Sequence, residues 1–98
     1  MQILGARLAC KTAPSGGDAK FNFYRYFSDP DHEYYGDWWS IYNVNEWPTI
    51  ADGELIGTDG NLASIGGKQW LQEGDMIKLA VEAVYGAEDL TIILKVRQ

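Results

Sequence analysis

Four stretches of this chain alternate apolar and polar side chains with a period of two. That alternation constrains the fold more than any other feature, because only a strand places successive side chains on opposite faces. In "QILGARLACKT", Leu4, Ala6, Leu8 and Cys10 fall on one side, with Arg7 and Lys11 on the other. "KFNFYRYFS" sets Phe21, Phe23 and Phe27 against Asn22, Tyr24 and Tyr26. "MIKLAVEAVY" sets Ile77, Leu79, Val81, Ala83 and Tyr85 against Lys78 and Glu82, and "LTIILKVRQ" turns Leu90, Ile92, Leu94 and Val96 inward. The alanines of 75–87 would also suit a helix, but the alternation and the strand-favouring residues there predict a strand.

The intervening segments extend the pattern. "WWSIYNV" reads as a third strand, and "NEWPTIADG" as a loop with room for a short edge strand, since Pro48 cannot sit in a central one. "ELIGT" and "LASIG" read as two further strands reversed by "DGN", and "APSGGDA" and "GAED" as turns. Ninety-eight residues suffice for a single domain, 1–98. The expected architecture is an all-β antiparallel β-sandwich of about seven to eight short strands, with a small β-barrel as the alternative. The two long C-terminal strands are expected to be central.

Composition narrows the function. The net charge is −6, and the eight basic residues are scattered, which disfavours nucleic acid and anionic membranes as partners. One cysteine, Cys10, precludes a disulfide within the chain, and its place on an apolar face reads as buried packing. No apolar run approaches the ~20 residues that span a bilayer, and no signal peptide is visible. With one histidine, His32, and one cysteine, a structural zinc set is not available. Nor do the residues suggest a nucleophile beside a base, so no enzyme is expected; a glycosidase using paired loop carboxylates ranks last.

Two features remain as candidate sites. If successive strands run up and down, the loops 28–37, 57–61 and 86–89 share one end. They carry seven carboxylates and no Lys or Arg. Hard cations take six to eight oxygens from such loops, so a Ca²⁺ site is expected there. Asp29, Asp31, Asp37 and Asp89 are its leading ligands, with Asp59 and Glu88 beside them. The linear pattern is not an EF-hand, because Tyr34 stands where that loop needs Gly and Ser40 where it needs Glu. The bland alternative is a set of solvated acidic turns.

The second feature is aromatic. If the phenylalanines of 21–27 point inward, Tyr24 and Tyr26 point outward, where Trp38 and Tyr42 can join them in an exposed strip. Such a strip suits a protein partner or self-association, and a glycan is the alternative ligand, through stacking on sugar rings. Trp47 and Trp70 are expected to plug the opposite end. The chain therefore reads as a non-catalytic binding or structural module, a protein–protein contact or assembly subunit with an acidic pole for Ca²⁺; the alternative is a carbohydrate-binding module.

Overall fold

The computed structural model describes all residues 1–98. Six strands form in chain order: β1 (Gln2–Ala9), β2 (Ala19–Tyr26), β3 (Trp38–Ser40), β4 (Thr49–Ile50), β5 (Met76–Ala83) and β6 (Thr91–Arg97). All pairings are antiparallel. One sheet is β1 with β6; the other is built around β2. Across one edge of β2 lie β3 and β4, and across the other lies β5, so that Tyr26 faces both Trp38 and Met76. The all-β antiparallel sandwich is as expected, and no closed barrel forms. No helix is long and apolar enough to cross a membrane.

The core lies between β1 and β2. Leu8, Cys10, Ala19, Phe21 and Ile50 form one buried cluster, and Ile3, Ala6, Phe23, Ile41 and Tyr42 a second. In β1 the expected face is displaced at its start. Ile3 is buried and Leu4 exposed, because the register with β6 slips between Ile3 and Gly5. Gly5 has φ 140°, and a Cβ there would land on the Asp59 carboxylate. Only glycine accepts both conditions.

Strand count and strand order differ from expectation. β3 and β4 are two ends of one course along β2, interrupted by an excursion over 42–48. "ELIGT" and "LASIG" are not separate strands. They form a single course held by isolated bridges, Ile56 to Ala9, Thr58 to Thr49 and Leu62 to Tyr42. The glycines explain its closeness to its neighbour: a Cβ at Gly60 would strike the Glu46 carbonyl, and one at Gly66 the Ser40 carbonyl. The C-terminal strands are not central. β5 pairs only with β2, β6 pairs only with β1, and they do not pair with each other.

Arg25 is the unexpected core residue. It is in phase with Phe21 and Phe23 and only 1% exposed. Its Nε and Nη2 donate to Asp75 Oδ2 at 3.0 and 2.7 Å, and its Nη1 and Nη2 donate to the carbonyls of Gln69 and Trp70 at 3.1 and 2.7 Å. Its guanidinium carbon lies 4.3 Å from the Phe27 ring centroid. Asp75 also accepts from the Ser28 N–H and hydroxyl and from the Gln72 N–H. Burial alone would raise the Asp75 carboxyl, but the hydrogen bonds from Ser28, Gln72 and Arg25 outweigh it and hold the group at about 2.

Two outcomes follow. Asp75→Asn or Arg25→Met alone should cost about 3 kcal/mol in urea unfolding, since each strands a buried partner. The folded carboxyl titrates below its ordinary value of 3.8, so its contribution is complete above that pH and lost as pH falls towards 2. Acid unfolding curves should therefore lose that component in Asp75→Asn; an unchanged acid limb would refute the assignment.

Candidate functional site

The acidic loops do not share a pole. β5 runs antiparallel to β2 with Met76 beside Tyr26 and Ala83 beside Lys20. Loop 28–37 therefore lies with 69–75 at one end of β2. Residues 84–90 lie at the other end, where Glu88 bridges Thr12 and the Ser15 N–H donates to the Tyr85 carbonyl. Asp59 belongs to neither end. It packs on Gly5 and accepts 2.8 Å bonds from the Tyr42 hydroxyl and the Gly60 N–H. Two opposed strands over 54–66 would place Asp29, Asp31 and Asp37 with Asp59, Glu88 and Asp89; the single course there inverts every later loop and separates them. No three His, Cys, Asp or Glu side chains gather as a metal-ligand group.

Loop 28–37 is ordered by other means. Asp29 caps it, accepting from the Asp31 N–H at 2.9 Å. The His32 ring stacks on buried Phe27 at 4.5 Å, and Tyr34 packs on Trp39 at 4.3 Å. His32 Nδ1 accepts from the Tyr34 N–H, and Nε2 lies 3.1 Å from Gln69 Oε1.

The outer aromatic strip forms in part. Tyr24 and Tyr26 are half-buried and Trp38 is 41% exposed. Tyr26 and Trp38 lie 5.3 Å apart with their planes at 56°. Lys78, opposite Tyr24 on β5, holds its ammonium 4.6 Å from the Trp38 centroid and 5.3 Å from that of Tyr24. Tyr42 does not join the strip, being only 1% exposed. The Ser40 hydroxyl donates to the Tyr42 carbonyl at 2.7 Å, bending the chain out of the β3 ladder and carrying Tyr42 into the core. Burial, and then the bond to Asp59, push the Tyr42 hydroxyl far above its ordinary range. Trp47 packs on the core as expected, whereas Trp70 stays half exposed.

β5 is the most exposed of the strands. Its register places Ile77, Leu79 and Val81 opposite Arg25, Phe23 and Phe21, on the inner face. Yet Leu79 is 44% and Val81 56% exposed, because the β1–β6 sheet does not extend over them. The β5 edge away from β2 makes no ladder pairing.

Searches of protein-family models, curated proteins and solved structures find no match to this chain. Two cavities complete the surface. A 390 Å³ groove lies over β1 and β6, lined by Ala6, Arg7, Ile56 and Ile93 among others. A 360 Å³ hollow lies beside Trp39, Ser40, Asn43 and Ile65. Neither is lined by His, Cys, Asp or Glu. The indole Nε1 of Trp39 is buried without an acceptor.

Sequence reasoning named Tyr24, Tyr26 and Trp38 but omitted Lys78 and the β5 edge. The signal for Lys78 was present: it alternates with Ile77 and Leu79, on the polar side of β5. Its neighbours on β2 required the pairing.

Tyr42→Phe should lower stability by about 1–2 kcal/mol, because it removes a hydrogen bond to a carboxylate while keeping the ring; thermal melts read this directly. With the acidic loops at opposite ends, millimolar Ca²⁺ should raise the melting temperature no more than Mg²⁺ at equal ionic strength. A calcium-specific rise abolished by Asp29→Asn would show a site within the 28–37 loop alone.

Proposed function

We propose that this chain is a non-catalytic protein-contact module, a subunit of a larger assembly, and that its docking surface is the open edge of β5 with the Tyr24–Tyr26–Trp38 face beside it. The observation that carries this reading is the exposure of Leu79 and Val81 on a strand whose second edge is unpaired. Unpaired strand edges recruit further strands through main-chain hydrogen bonds, with alternate side chains supplying specificity. Exposed apolar side chains beside aromatic rings add the contact area that such pairing needs.

A glycan ligand has less support. Sugar stacking favours an open, flat ring face, whereas Tyr26 and Trp38 are tilted and the Lys78 ammonium lies over Trp38.

The test is a titration of the isotopically labelled chain with extended octapeptides of alternating apolar pattern, one of them copied from β5. Amide shifts concentrated in 76–83 are expected. No shift with any peptide, together with tryptophan fluorescence that responds to oligosaccharides, would overturn the reading in favour of a glycan module.

A further inference from the structure

We infer that the strand received by β5 is β5 of a second copy, in antiparallel register about a two-fold axis at Ala80. This rests on the docking surface proposed above and names its occupant. A two-fold axis normal to a sheet pairs directly opposite residues on the same face, so the two strands must be centred on a residue. Centred on Ala80, Lys78 of each copy comes level with Glu82 of the other, and Leu79 faces Val81. Centring on Leu79 or Val81 instead puts neither charge opposite its complement. Among these, only the Ala80 register brings Lys78 and Glu82 level with each other while setting Leu79 against Val81 on the inner side.

Three observations support a second copy over an unrelated strand. Lys78 and Glu82 are both exposed and neither forms an ion pair within the chain. Glu82 sits at a bulge and has no cross-strand partner in β2. The inner side chains Leu79 and Val81 are uncovered in one copy, and each meets its counterpart in the other. The free edge of β6 contrasts with this. Its charged side chains are Lys95 and Arg97, with no acid, so the same operation offers no ion pair there and leaves a cationic edge.

The Lys78 ammonium lies over Trp38 and Tyr24, on the β2 side of β5, so pairing with Glu82 of the second copy requires its side chain to swing to the free edge. Two opposed strands of about eight residues bury less than a standard interface of roughly 1,600 Å². The pairing is accordingly weak and reversible, and depends on concentration.

Sedimentation velocity and light scattering over micromolar to millimolar concentrations test this. The unaltered chain should form a reversible dimer. Lys78→Glu and Glu82→Lys, each alone, should weaken it by about tenfold or more, since each sets two like charges opposite each other. An equimolar mixture of the two variants should restore dimers, as heterodimers, and the double exchange should restore the homodimer. Restoration on mixing excludes loss through misfolding. Ala80→Cys should form an oxidised dimer linked at position 80, since directly opposite Cα atoms lie within disulfide reach.

A chain that stays monomeric at millimolar concentration overturns the inference, as does a dimer indifferent to both single variants, a mixture that fails to restore it, or open-ended growth of longer species. These failures are separable from failure of the docking surface. Octapeptide shifts in 76–83 with a monomeric chain would remove self-pairing and leave the surface standing.

Discussion

A guanidinium buried at the end of the central strand must be matched by acceptors, because an unpaired charge in a dry interior costs several kcal/mol. Arg25 is in that position, and its acceptors come from Gln69, Trp70 and Asp75. The consequence reaches across the molecule. Residues 69–75 must fold back onto the end of β2, which starts β5 beside Tyr26 and sends it antiparallel along the whole of β2. The same cation lies against Phe27, on whose ring His32 stacks, so the loop 28–37 takes its shape from the same anchor.

That arrangement leaves the last two long strands on the outside. β5 closes one sheet and β6 the other, and neither is covered by the opposite sheet along its full width. Exposed apolar area disfavours an isolated chain by about 25 cal/mol for each Å² that could be buried, and an unpaired edge is an invitation to a further strand. Functional interest therefore moves from the acidic turns to the backbone and side chains of β5. The net charge of −6 opposes non-specific association, and against that background a specific pairing needs local complementarity, for which the proposed register relies on Lys78 and Glu82.

Much of the fold was legible in the residues. The period-two alternation located β1, β2, β5 and β6, and the outward tyrosines Tyr24 and Tyr26 followed from the inward phenylalanines. Arg25 is in phase with Phe21 and Phe23, but a charged side chain is not expected in the core, and its partner lies fifty residues away where no local pattern names it. Tyr42 broke the alternation because a hydroxyl two residues earlier bends the chain. The course 54–66 was misread because its glycines mark close approach to the 40–49 backbone, whereas in the sequence they resemble hairpin turns. That one misreading inverted the later loops and dispersed the expected calcium pole.

By itself the sequence determined the fold class, the identity of the long strands and the alternation along their regular stretches, because alternation is a local consequence of strand geometry; the bulges that displace it in β1 and β5 came from the pairing. Tertiary structure alone decided which strands are edges, which loops share an end and which charges meet. Those depend on pairing between segments distant in the chain, and here on where one buried arginine finds its acceptors.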